Sequence, residues 1–215
     1  MPKLIGIFGG TFDPVHLGHL QSVNLLDQSL GFDRIHWVLS ARPPHKDEVT
    51  ATIEHRYEML KIALRDSEHY YADDTEINRA EASYTFDTVQ QFKLNFPKAS
   101  LCLIIGGDSL NKLHTWSRYE KLIDQVHIIA MHRPGYTFEV PDYLTNRLIK
   151  PSKLSDFSAG KLVLFSQSEF DISSTQLRQA LTQDFSTKSG QGLIKQFIAP
   201  SVFDYIHQHR LYKTV

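Results

Sequence analysis

The sequence predicts an α/β fold, a mostly parallel sheet wound by helices on both faces. Three observations carry that expectation. Short apolar runs recur along the 215 residues, longer stretches with apolar side chains at helical spacing lie between them, and the runs are apolar enough to be covered on both faces. Parallel strands roofed by helices on either side have that character.

Strands are expected at Lys3–Phe8, Arg34–Leu39, Leu101–Ile105, His127–Met131 and Leu162–Phe165. After the first of them a helix begins near His16, with Leu17, Leu20, Val23 and Leu26 available for its buried side. Ile53, Tyr57, Leu60 and Leu64 recur at helical spacing, as do Phe86, Val89, Phe92 and Phe96, and these stripes read as packing faces. The stretch from His132 to Lys161, with Pro134, Gly135, Pro141, Pro151 and Gly160, reads as a long loop. Helices follow from Ser173 to about Gln183 and from Pro200 to about His209. No repeat, charge run or linker divides the chain, so residues 1–215 read as one domain whose last part, from about residue 173, is a helical subdomain. The expected whole is doubly wound and Rossmann-like.

Composition narrows the function. Hydrophobic residues make up 41% and charged residues 22%, with 11 Gly and 9 Pro, a folded rather than a low-complexity chain. The formal net charge of −1 argues against a nucleic-acid footprint or a polybasic membrane anchor, so any nucleotide is held by local geometry. The longest uninterrupted apolar run, Leu101–Ile105, falls far short of the roughly 18 residues of a membrane span. From Phe8 the chain passes at once to Thr11 and Asp13, without the apolar segment and cleavage site of a signal peptide. The lone Cys102 excludes an internal disulfide framework and a thiolate zinc site, and its apolar neighbours read as the setting of a buried structural thiol. A soluble, cytoplasmic protein is expected, with no nucleic-acid or membrane partner.

The most informative segment is Gly9-Gly10-Thr11-Phe12-Asp13-Pro14-Val15-His16-Leu17-Gly18-His19-Leu20, directly after the first strand. Two glycines at a strand's carboxyl end let a ligand or another backbone come close, in the crevice where open α/β sheets bind. His16 and His19, three apart in the first helical turn, share a face. Unpaired helix N–H groups, the helix dipole and two imidazoles then converge, a setting that suits phosphate oxygens. The competing account is local: His16 caps the helix and His19 packs in the core. A Walker loop lacks its Lys-Ser or Lys-Thr here, and a dinucleotide fingerprint lacks its acid, since the second strand runs into Ser40-Ala41-Arg42. Two imidazoles at that spacing with no third ligand nearby make a poor zinc site.

With this segment the sequence resembles the H-x-G-H nucleotidyltransferase superfamily, and further segments make it similar to the bacterial nicotinate-nucleotide adenylyltransferase family. They are Pro43-Pro44-His45-Lys46, Ser83-Tyr84-Thr85-Phe86-Asp87-Thr88, Gly106-Gly107-Asp108-Ser109-Leu110 with Leu113 and Trp116, Arg133-Pro134-Gly135-Tyr136, and Ile172-Ser173-Ser174-Thr175 with Leu177-Arg178. Any one is weak; together, in the family's order from residue 9 to residue 178, they are highly specific. The resemblance implies transfer of AMP from ATP to nicotinate mononucleotide, giving deamido-NAD and pyrophosphate in NAD biosynthesis. It implies His16, His19, Lys46 and Arg178 as the catalytic group, and an ATP site made of Gly9, Gly10, Thr11, Phe12, Gly107, Asp108, Arg133, Ser173, Ser174 and Thr175. Asp108 would sit near the ribose, and Tyr84, Thr85 and Trp116 around the nicotinate ring and carboxylate. Ser40-Ala41-Arg42 departs from the small residue and Asn that many relatives carry.

The chemistry asks for little beyond charge and position. A mononucleotide phosphate, with a second pKa of about 6, is mostly dianionic at neutral pH and needs no general base. Two polyanions must be brought in line and charge on the departing pyrophosphate stabilised. Mg²⁺ is expected to ride on the ATP phosphates, with no dedicated protein cage. Each residue keeps a plainer account: Lys46 as a solvated lysine, Arg178 outward on a capped helix, Trp116 in a core stripe, Thr85 and Asp108 as helix caps. Three other functions are weighed against the family's: an adenylyltransferase acting on nicotinamide mononucleotide or phosphopantetheine, a nucleotide sensor without turnover, and a class I tRNA synthetase fragment, which suits neither the charge nor the length.

Overall fold

The computed structural model describes residues 3–42, 49–132, 139–166, 170, 172–182 and 188–212. Among them six strands are formed: β1 (Leu4–Gly10), β2 (Arg34–Leu39), β3 (Tyr70–Asp73), β4 (Ser100–Gly106), β5 (His127–Met131) and β6 (Leu162–Phe165). They join in one sheet in the order β3-β2-β1-β4-β5-β6, every pair parallel. The order reverses between β1 and β4, and that switch point opens a crevice at the strands' carboxyl ends.

The alternation of side chains along each strand sorts the core into two layers. Phe8, Cys102, Ile104, Ile129, Val163 and Phe165 face one layer, whereas Ile5, Ile7, Leu101, Leu103, Ile128 and Ala130 face the other. The first layer is closed by α1 (Leu17–Leu30), α2 (Ile53–Leu64), α7 (Ser174–Thr182), α8 (Lys188–Phe197) and α9 (Pro200–Gln208), through residues such as Leu26, Met59, Leu177, Ile194 and Val202. The second is closed by α3 (Thr85–Asn95), α4 (Gly107–Asn111), α5 (Tyr119–Gln125) and α6 (Asp142–Thr145), through Val89, Leu110, Leu122 and Leu144. The sheet is therefore wound on both faces, as the apolar runs predict. Among the described residues no helix is long and apolar enough to cross a membrane.

The structure corrects several local expectations. β1 extends through Gly9 and Gly10, because their backbones pair with Val38 and Leu39 of β2. β3 was not expected: its four residues, Tyr-Tyr-Ala-Asp, are at most half-buried on the sheet edge and show no two-sided apolar pattern. α8 also went unexpected, as its sequence holds Gly190 and Gly192 and its burial comes from packing beside α7 and α1. The stretch from 132 to 161 contains α6 and a 3₁₀ turn over Pro151–Asp156, whose Leu154 is buried. In α1 the buried positions are Gly18, Ser22, Val23 and Leu26, while Leu17 and Leu20 are half-buried.

Cys102 is fully enclosed on the central strand β4, and burial pushes its thiol far above the ordinary range. A thiol reagent at neutral pH should therefore leave the folded protein untouched and titrate one equivalent, the single cysteine, after unfolding in guanidinium. Rapid labelling of the native state would contradict this packing.

Candidate active site at the sheet switch point

The turn from β1 to α1 is fixed by its own side chains and by two distant ones. A side-chain carbon on Gly9 would meet nothing within 4 Å, whereas one on Gly10 would lie 2.7 Å from the Phe12 ring. Gly9 thus leaves open space and Gly10 makes room for Phe12, which is buried at φ 48°. Asp13, 3% exposed, accepts hydrogen bonds from the Thr50 and Ala51 amides at 2.8 and 3.2 Å and from the Tyr212 hydroxyl at 2.7 Å. Beneath the turn, the buried Arg56 guanidinium donates to the carbonyls of Thr11 and Ser40 at 2.9 Å and of Ala51 and Ala41 at 3.2 Å. Burial pulls the Arg56 pKa down, and the Asp13 charge offsets this.

His16 is the N-cap of α1, and the two imidazoles close a reciprocal capping box. His16 Nδ1 accepts from the His19 amide and His19 Nδ1 accepts from the His16 amide, each at 3.3 Å, with the rings stacked 3.6 Å apart. This answers the capping alternative without removing the phosphate one, because the two uses fall on different nitrogens. An Nδ1 that accepts an amide hydrogen carries no proton, so each neutral ring holds its hydrogen on Nε2 and donates from there.

A cleft of about 940 Å³ opens at the crevice. On its phosphate-suited side lie Gly9, Gly10, Thr11, Phe12 and His19, joined by Ser173, Ser174, Thr175 and Arg178 from the start of α7. Ser173 caps α7 in a box with Gln176, the Ser174 hydroxyl donates to the Pro14 carbonyl at 3.0 Å, and Arg178 Nη1 donates to the Asp13 carbonyl at 2.8 Å. The two helix starts are thereby bound to each other. His16, 3% exposed, lines a small pocket of about 40 Å³ that shares Phe8, His19 and Gly106 with the cleft, and Gly107 is buried within the first turn of α4. Lys46 and Arg133 lie outside the described residues.

Asp108 lines the same cleft from an exposed position in the first turn of α4, whose N-cap is Gly106. It therefore does not cap that helix, and its carboxylate faces solvent and cleft. On the far side stand Tyr84, Thr85 and Trp116. Tyr84 is the N-cap of α3 and Thr85 its first helical residue, with no side-chain cap hydrogen bond, so the expectation of a Thr85 cap gives way to an open helix start. Trp116 is half-buried against the second core layer. Arg118 ties this wall to α3, with both Asp87 oxygens 2.7 Å from its Nη2 and the Phe86 ring 4.2 Å away.

The sequence profile of the cytidylyltransferase-like family matches residues 7–180. A probable nicotinate-nucleotide adenylyltransferase of Pseudomonas syringae pv. tomato is 34% identical over 219 residues, 99% of this chain and 95% of its own. One of Neisseria meningitidis serogroup B is 36% identical over 212 residues, covering 98% of this chain and 99% of its own. The chain belongs to the nicotinate-nucleotide adenylyltransferase family. The Plasmodium falciparum nicotinic acid mononucleotide adenylyltransferase complexed with NaAD shares the fold, with a TM-score of 0.75 at 23% identity over 98% of this chain and 97% of that one.

Three residues of this adenylyltransferase-family chain escaped sequence reasoning. Asp13 read only as part of a turn, while Arg56 lay inside an apolar helical stripe and gave no signal. Glu76, 6% exposed on the cleft wall, accepts from the Thr88 hydroxyl at 2.7 Å. Ser40-Ala41-Arg42 also gains a place: the Arg42 amide donates to the Ser83 hydroxyl at 3.0 Å, joining the end of β2 to the residue before Tyr84. Among the described residues no cluster of three or more His, Cys, Asp or Glu side chains is arranged to hold a metal ion.

Burial raises the Glu76 carboxyl above its ordinary value, against the opposing pull of Thr88, Ser83, Arg79 and Ser40. A carboxyl raised on folding supports the native state while neutral and weakens it as rising pH ionises it. The stability of Glu76→Gln relative to wild type should therefore grow in urea melts as the pH rises above the ordinary carboxyl range, about pH 4. A gap that stays flat or narrows would show that Glu76 is not desolvated.

Proposed function

We propose that the protein transfers the adenylyl group of ATP to nicotinate mononucleotide, forming deamido-NAD and pyrophosphate, by direct in-line attack without a covalent enzyme intermediate. The observation that carries this reading is a single cleft with two unlike ends. One end gathers hydrogen-bond donors for phosphates around His19, Arg178 and the start of α7; the other joins an open helix start to an indole. Its volume lies at the upper end of the ~300–1,000 Å³ common for small-molecule sites, as two substrates side by side require.

In the step itself, an oxygen of the mononucleotide phosphate bonds to the α-phosphorus of ATP. The bond from that phosphorus to the bridging oxygen breaks, and pyrophosphate leaves with the electron pair. Mg²⁺ carried by ATP would add charge neutralisation at the phosphates, and no side chain of this chain is assigned to hold it. The His19 Nε2–H and the Arg178 guanidinium stabilise charge on the phosphates, and the N–H groups at the start of α1 add the positive end of its dipole. Lys46 and Arg133 are assigned to the same task on the family's pattern. Thr175 brings a hydroxyl to the triphosphate; Ser173 and Ser174, whose hydroxyls donate to Gln176 and to the Pro14 carbonyl, are assigned beside it on the family's pattern, and Asp108 accepts from the adenosine ribose. The His16 backbone amide keeps His19 Nδ1 occupied, and the His16 ring is assigned with His19 to the phosphates on the family's pattern.

The pyridine end accounts for an acid substrate. The amides of the first turn of α3, from Thr85 onward, suit a carboxylate grip, the Tyr84 amide being bonded to the Ala82 carbonyl at 3.0 Å, and Trp116 offers an indole face to a positively charged ring. A neutral amide in place of the carboxylate leaves N–H donors less well matched, which favours nicotinate over nicotinamide mononucleotide.

Pyrophosphate release with ATP and each pyridine mononucleotide tests this directly. Turnover is expected with both and faster with the acid; no release with either would leave a nucleotide-binding role standing. Trp116→Ala should raise the KM of the mononucleotide by about tenfold or more while barely moving that of ATP, given the ~1–2 kcal/mol of a desolvated cation–π contact. Equal effects on both substrates would place Trp116 in the core alone.

A further inference from the structure

The end of the chain reaches back to the cleft. Beyond α9 the backbone takes the left-handed region at Arg210 (φ 52°) and Tyr212 (φ 61°), which bulky L-residues rarely adopt. Such strain persists where the surroundings over-determine it. Here the anchor is the Tyr212 side chain, 6% exposed within the first core layer, whose hydroxyl donates to Asp13 Oδ1 at 2.7 Å across 199 residues of sequence. Burial, with the Asp13 carboxylate beside it, pushes the phenol far up, so it remains a donor throughout the working pH range. At the other end of this bond stands a second strained aromatic, since Phe12 at φ 48° immediately precedes Asp13.

Asp13 is where separate parts of the cleft meet. Its carboxylate accepts the Thr50 and Ala51 amides, which follow shortly after Lys46 in sequence, and its carbonyl accepts Arg178 Nη1. A shift of this residue moves the phosphate turn and Arg178 together. Tyr212 is not on the cleft wall, so anything it contributes passes through Asp13.

We infer that Tyr212 is a positioning residue for adenylyl transfer: its hydroxyl locks the Asp13 turn so that the start of α1 and Arg178 meet the ATP phosphates. The inference rests on the adenylyltransferase reading above, and it is confined to the ATP end, because the wall around Trp116 comes from another part of the chain.

Tyr212→Phe removes the hydroxyl and keeps the ring. Read at a temperature where circular dichroism shows both proteins folded, its kcat should fall about 10- to 100-fold, the penalty of slight misplacement at a reacting centre. Mg-ATP affinity by calorimetry should weaken, and the mononucleotide KM should stay unchanged. Asp13→Asn combined with Tyr212→Phe should be no slower than Asp13→Asn alone, because both changes break one linkage; if the Asn variants do not fold, the single Phe variant decides. Wild-type kcat and Mg-ATP affinity in Tyr212→Phe, or equal losses for both substrates, would overturn the inference while leaving the reaction intact. If the wild type releases no pyrophosphate, the functional reading fails on its own, and Mg-ATP calorimetry still judges Tyr212: weaker binding in the Phe variant supports it, and equal binding or none in either protein overturns it.

Discussion

A buried carboxylate and a buried guanidinium under one turn hold the cleft in shape. Loops lack the hydrogen-bond ladder of helices and sheets, so their backbone groups need partners from elsewhere. Arg56 supplies them to the carbonyls of Thr11, Ser40, Ala41 and Ala51, and Asp13 accepts the amides of Thr50 and Ala51. The ends of β1 and β2 and the approach to α2 are thus fastened around two side chains. Each charge is tolerated in the interior because it is hydrogen-bonded on several sides and because the two attract through space; removing either leaves buried backbone groups unsatisfied, at about 1–3 kcal/mol each.

On that foundation the helix starts acquire chemical meaning. The capping box between His16 and His19 satisfies two amides of α1 and, by occupying both Nδ1 atoms, leaves donors at Nε2. The same bonds that begin the helix therefore set the hydrogen-bonding character of the site. The start of α7 is drawn against this turn by the Ser174 and Arg178 contacts to Pro14 and Asp13, placing a guanidinium on the same cleft as His19.

Much of this was legible in the sequence, for a physical reason. Strands covered on both faces announce themselves as apolar runs, and β2, β5 and β6 fall where those runs lie. The edge strand β3 has no second cover and so no such run, and α8 is a helix held by packing against neighbours, which local sequence does not report. In the site, the turn from Gly9 to His19 was readable because strand end, helix start and donors are adjacent in sequence. Arg178 and Trp116 were readable only through the family's ordered motifs. Arg56 and Tyr212 lie 43 and 199 residues from Asp13, and nothing in their neighbourhoods marks them as its companions. Their roles exist only in the folded chain.

The most direct measurement of the central claim is a crystal structure with Mg²⁺ and a non-hydrolysable ATP analogue. The triphosphate should lie over Gly9 at the start of α1, with phosphate oxygens about 3 Å from His19 Nε2 and the Arg178 guanidinium and the Asp13 linkages intact. A triphosphate bound elsewhere, with the His19 ring beyond hydrogen-bonding reach, would contradict it.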